Sequence, residues 1–155
     1  MAVITYLNFD GNAEQAIEFY TEAFQATHVK KVRFGDIPQN PNYPMPEQER
    51  AMIMESSLEF AGGRLMMSDV PPSMKNVTGD IVRGTQLLIS IVIDDKAALA
   101  DYFSNLSVGG HVIMPLSDVP WSSCFGMLVD RFGIVWKFNS DADKFLDRVL
   151  SEKNN

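Results

Sequence analysis

Stretches rich in β-branched and aromatic side chains alternate along this chain with stretches whose apolar residues recur at helical spacing. The first, residues 2–9 (AVITYLNF), predicts a strand that ends at Asp10-Gly11. A helix is expected over about 12–25, with Asn12 as N-cap and Glu14 and Gln15 in the first turn. Ala13, Ala16, Ile17, Tyr20 and Phe24 share one of its faces. Residues 28–34 (HVKKVRF) predict a second strand. Residues 36–49 hold four of the eight prolines and show no apolar periodicity, which predicts a long loop. Strands at about 50–60 and 64–68 flank the turn Gly62-Gly63, and the polar stretch 70–84, with its Pro71-Pro72 start, reads as a linker.

The same order then returns. A strand at 86–93 (QLLISIVI) ends at Asp94-Asp95, and a helix at about 95–106 places Leu99, Tyr102, Phe103 and Leu106 on one face. Strands follow at about 111–116, 123–129 and 134–139, the last after Arg131-Phe132-Gly133. Ser140 or Asp141 can cap a C-terminal helix bearing Phe145, Leu146, Val149 and Leu150. The aromatic pair of the first helix recurs from 19 to 102, an offset of 83 residues. The glycine before the last strand recurs from 63 to 133, an offset of 70, and the proline-rich loop is about long enough to account for the difference of 13. The chain is therefore expected to be α+β, two βαβββ modules forming a curved mixed sheet. The modules span 1–69 and 85–140, with the linker at 70–84 and a C-terminal helix and tail at 141–155.

Composition narrows the function classes. The net charge of −7, with no basic stripe, argues against nucleic acid and anionic membrane as partners. No stretch reaches the roughly 20 apolar residues of a membrane span, and no basic-then-apolar leader opens the chain. The single cysteine, Cys124, excludes an internal disulfide and fits a reducing, cytoplasmic setting.

The segments YLNFDGNAEQAIEFYTEAF, LLISIVIDD and MPLSDVPW…GMLVDRFGIVWKFN resemble, in their order and spacing, the PhnB-like branch of the glyoxalase, bleomycin-resistance and extradiol-dioxygenase group, the vicinal-oxygen-chelate (VOC) superfamily. The resemblance implies paired βαβββ modules over a cavity, and commonly a homodimer. The enzymes of that group hold a divalent metal through His, Gln or Glu on the first strand of each module and the last strand of the second. Such a metal polarises adjacent substrate oxygens and needs hard or borderline ligands. The matching positions here fall near Val3 or Thr5, at Leu88, near Met67 and at Lys137, where relatives carry a glutamate. None suits a hard cation, so no cofactor is expected and a metal, if held, would need another place.

Ligand-binding candidates are Leu88, Ser90, Met67, Trp121, Cys124 and Lys137. Strand 86–93 separates into an apolar face (Leu87, Ile89, Ile91, Ile93) and a mixed face (Leu88, Ser90, Val92), which fits a cavity wall with polar anchors. Residues 115–121 resemble the family's cavity-bordering loop, with Trp121 as an apolar wall and Asp118 as an acceptor. His111, Asp118 and Lys137 are the candidates for proton transfer. There is no phosphate-cradling glycine loop, no Gly-x-Ser-x-Gly elbow, no zinc spacing and no nucleotide-cofactor fingerprint. The leading expectation is a metal-free binder of a small molecule. A lyase, isomerase or dioxygenase with a displaced metal is the second. A sequestration protein for a planar or toxic compound, with Trp121, Trp136 and Phe138 as walls, is the third.

Overall fold

Two buried carboxylates show how the strands and helices are joined in the computed structural model, which describes residues 2–154. Met1 and Asn155, the outermost residues of the first module and of the tail, lie outside the described residues. The chain divides into two compact units, Met1–Val82 and Arg83–Asn155, with the division inside the 70–84 stretch.

The first unit contains β1 (Thr5–Phe9), α1 (Ala13–Phe24), β2 (Thr27–Arg33), α2 (Glu47–Arg50), β3 (Ile53–Phe60), β4 (Gly63–Asp69) and α3 (Lys75–Thr78). Its sheet order is β1-β4-β3-β2, with β1 parallel to β4 and the other pairs antiparallel. The parallel pair at one end requires a crossover, which α1 and the following strands provide. The helix buries the predicted Ala13, Ala16, Ile17, Tyr20 and Phe24. They cover the sheet face that carries Leu58, Leu65 and Met67, and the Phe24 and Phe60 rings stack at 3.9 Å. Each such ring or branched chain contributes roughly 1.5–3 kcal/mol on burial.

The second unit repeats the arrangement. It holds β5 (Ile89–Val92), α4 (Lys96–Ser107), β6 (His111–Val119), β7 (Ser122–Val129), β8 (Val135–Asn139) and α5 (Ala142–Lys153), with sheet order β5-β8-β7-β6. Leu99 and Leu106 of α4 are buried, as are Leu128, Trp136 and Phe138 of the sheet. Phe103 meets Phe138 edge-on at 5.1 Å. Gly126 permits this approach, since a Cβ there would stand 2.9 Å from both the Phe103 ring and the Leu116 side chain. The repeated βαβββ order read from the sequence is the order of both units.

Local expectations need five corrections. Asn12 makes no side-chain cap. The first N–H of α1 donates instead to Asp69, 56 residues away, at 2.9 Å. The 36–49 loop contains the short helix α2 at its end, and its buried Glu49 binds Ser73 of the linker, so neither stretch is featureless. β5 starts only at Ile89, which leaves Leu87 86% exposed rather than in the core. β6 continues to Val119, so residues 115–119 are strand and not loop. Pro115 is tolerated because β6 is an edge strand. Finally, the hairpin between β3 and β4 turns through Ala61 (φ 49°) and Gly62 (φ 74°). Gly62, not Gly63, is therefore the counterpart of the left-handed Gly133 (φ 85°).

Asp69 is the joint of the first unit. Its carboxylate is 4% exposed and accepts from Ala13 N and Ile53 N, both at 2.9 Å. Asp130 serves the second unit, accepting from Phe132 N (2.8 Å), Ile134 N (3.0 Å) and Trp136 Nε1 (2.9 Å). Replacing Asp69 with Ala leaves two buried donors without an acceptor. The expected cost is about 3 kcal/mol of unfolding free energy in a urea titration, with Asp69→Asn, which keeps one acceptor oxygen, losing about half as much.

Candidate functional site

Side chains on a strand point alternately to opposite faces, and each module has one long helix to cover one face. In the second module, register places Ser90, Lys137 and Met127 side by side across β5, β8 and β7, on the face opposite α4. The next row on that face is Val92, Asn139 and Phe125. Trp121, at the turn between β6 and β7, stands edge-on to Phe125 with ring centres 5.5 Å apart. In the first module the corresponding rows are Tyr6, Met66 and Ser57, then Asn8 and Ser68 with Glu55 two residues before Ser57.

The sequence-derived candidates divide between faces. Ser90, Lys137 and Trp121 gather on the open face of the second module. Leu88, 40% exposed, extends the Ser90–Val92 face by alternation just before β5. Met67 does not belong to this set. It is 0% exposed on the face that carries Leu65 and takes α1, because the turn equivalence of Gly62 and Gly133 makes Met66 the counterpart of Lys137. Cys124 also leaves the set, since alternation puts it on the Gly126–Leu128 face, opposite Phe125. His111 and Asp118 are both exposed on the edge strand β6, seven residues or about 23 Å apart. Lys137 lies two strands away on β8, so the structure does not gather these three into one proton-transfer site.

Phe125, Met127 and Asn139 were absent from the sequence-derived set. The alternation of Val135, Lys137 and Asn139 within IVWKFN was the available signal for Asn139. Tyr6, Asn8, Ser68 and Glu55 were also missed, and only register unites them.

The electrostatics of the open faces differ. Lys137, half-buried as a residue, pairs in register with Ser90 and Met127, and among the described residues no carboxylate comes within ion-pair distance of its ammonium. On the first module, burial pushes the Tyr6 phenol above its ordinary pKa. The neighbouring Ser68 hydroxyl opposes that shift and the Glu55 carboxylate reinforces it. The divalent metal implied by the fold does not fit either row. Lys137 would repel it in one, Met66 offers it only a thioether in the other, and among the described residues no three His, Cys, Asp or Glu side chains converge.

The start of β7 is fixed to the start of α5 by Asp141. Its carboxylate accepts from Ser123 N at 2.8 Å, from the Ser123 hydroxyl and from Ser140 Oγ at 3.0 Å. These donors, foremost the Ser123 hydroxyl, hold its pKa well below the usual carboxylate range. A depressed pKa contributes stability above the unfolded value of about 4, and that stability is lost as pH falls through the folded value. Amide exchange of α5, corrected for intrinsic rate, is expected to accelerate between about pH 4 and pH 2. Asp141→Asn should remove that pH dependence.

Residues 1–139 match the family described as 3-demethylubiquinone-9 3-methyltransferase. The chain is 30% identical to Protein YjdN of Escherichia coli over 145 residues, covering 90% of this chain and 95% of that protein. It also resembles the crystal structure of protein PA1353 from Pseudomonas aeruginosa, with 31% identity, a TM-score of 0.74, and coverage of 90% of this chain and 97% of that one. The structure of a glyoxalase-related enzyme from Fulvimarina pelagi shares the fold at 16% identity and a TM-score of 0.54, covering 90% of this chain and 88% of that one.

Proposed function

From the membership of this chain in the 3-demethylubiquinone-9 3-methyltransferase family, a PhnB-like family of VOC fold, we propose that it binds a small anionic molecule on the open face of its second module, without a divalent metal. The observation that carries this reading is Lys137. It occupies an interior strand, between the Ser90 hydroxyl and Met127, with no anionic side chain beside it among the described residues. An ammonium with no carboxylate beside it leaves its charge and its three N–H donors available to an incoming anion. The Lys137 ammonium and the Ser90 hydroxyl can both donate to a carboxylate, phosphonate or sulfonate. Trp121, exposed and braced edge-on by the buried Phe125, offers an apolar wall to a planar body. The ligand class that matches is thus a small aromatic or apolar acid.

The family description names a methyl transfer, but the sequence carries no nucleotide-cofactor fingerprint, and this reading assigns the site to binding. A homodimer and residence in the cytoplasm belong to the same reading. Among the described residues no helix is long and apolar enough to cross a membrane. Light scattering and cell fractionation test these two points separately.

Calorimetric titration with benzoate and phenylphosphonate, against their neutral counterparts benzamide and benzyl alcohol, tests the ligand class. The acids should bind at least about tenfold more tightly, since a charged hydrogen bond is worth about 1.5–3 kcal/mol. Lys137→Gln should abolish that preference. Equal binding of acid and amide, or a preference that survives Lys137→Gln, would overturn the reading.

A further inference from the structure

The open face of the first module has diverged from that of the second in the sign of its charge. Tyr6, Met66 and Ser57 stand where Ser90, Lys137 and Met127 stand in the other module, so the cation has no counterpart here. In the next row Glu55 takes the place of Phe125, beside Ser68 and Asn8. Glu55 lies on the interior strand β3, half-buried, opposite Val32 of β2.

The other acids of this unit that adjoin the sheet are accounted for. Glu14 binds Lys31 at 2.6 Å and Arg33 at 2.5 Å at the helix-covered edge, and Glu59 pairs with His28 at 3.2 Å. Asp69 is saturated by two backbone donors. Among the described residues Glu55 has no cationic partner within 4.0 Å. Lys30 and Arg64 share its face but pair in register with Ser57 and Glu59. What does adjoin Glu55 is the Ser56 backbone N–H, which donates to its Oε1 at 3.3 Å, and the phenol of Tyr6, which also contacts Ser68.

We propose that Glu55, Tyr6, Ser68 and Asn8 form a second binding site, on the first module, for a small organic cation of the amidinium or primary ammonium class. Each residue supplies a different part of that recognition. The carboxylate of Glu55 neutralises the charge and accepts up to two N–H bonds. The Tyr6 ring, 43% exposed, presents a face for cation–π contact. Ser68 and Asn8 carry oxygens that can accept the remaining N–H groups. The Tyr6 hydroxyl remains protonated at neutral pH, which lets it donate to Glu55 and hold the carboxylate in place. This site uses none of the residues around Lys137 and stands or falls without them.

The test is a titration of the full chain with benzamidine, against its neutral counterpart benzamide, followed by amide chemical shifts. Saturable shifts centred on Tyr6, Glu55 and Ser68 are expected, with benzamidine at least about fivefold tighter than benzamide. Glu55→Gln should abolish that preference and Lys137→Gln should leave it intact. Tyr6→Phe keeps the fold and the charge but removes the phenolic contact, and should weaken benzamidine about two- to threefold. Absence of saturable shifts up to about 10 mM, shifts centred elsewhere, or a preference unchanged by Glu55→Gln would each overturn the proposal. Failure of the unsubstituted chain to bind benzoate, with benzamidine binding retained, would overturn the Lys137 reading and leave this one standing.

Discussion

One helix can cover one face of a four-stranded sheet, and the rest of each module follows from that constraint. α1 and α4 are twelve residues each, about 18 Å of helix roughly 10 Å across. Four strands about 4.8 Å apart present a face of similar width. The covered face must be apolar and closely fitted, which Tyr20, Phe24 and Phe60 achieve in one module and Phe103, Phe138 and Gly126 in the other. The opposite face is released from that requirement. Its residues alternate with the core in sequence but need not share its chemistry, so they are free to carry Lys137, Ser90, Glu55 and Tyr6.

Duplication then gives the chain two such faces, and they have diverged. One presents an ammonium flanked by a hydroxyl and an aromatic pair. The other presents a carboxylate flanked by a phenol, a hydroxyl and an amide. Among the described residues neither brings together three His, Cys, Asp or Glu side chains, and on one of them Lys137 would repel a divalent ion. At the positions matched to the metal ligands of the family that the sequence resembles stand Val3 or Thr5, Leu88, Met66 and Lys137, of which Lys137 alone is charged.

The faces hold their positions because three carboxylates, two of them buried, lock the ends of the elements. Asp69 ties the starts of α1 and β3 to the end of β4, and Asp130 ties a hairpin turn to the Trp136 indole. Asp141 ties β7 to α5. Each replaces several solvent hydrogen bonds with fixed backbone donors, so each fixes a strand end from which the register of the open face is counted.

The sequence by itself determined the βαβββ repeat, the apolar faces of both long helices and the mixed character of the Leu88–Ser90–Val92 face, because these depend on periodicity within one element. It also placed Lys137 where a metal ligand would stand. What only the tertiary structure decided was which side chain of a strand meets which neighbour. A turn through two positive-φ residues, Ala61 and Gly62, shifted the alignment of the last strands by one position, and one position on a strand exchanges faces, which moved Met67 into the core and Met66 onto the open side. The same alternation removed Cys124. The cap of α1 came from Asp69 and not from the adjacent Asn12, and the grouping of Tyr6, Ser68 and Glu55 joins residues up to 62 positions apart. Such contacts arise from pairing between strands distant in the chain, and local propensity carries no record of them.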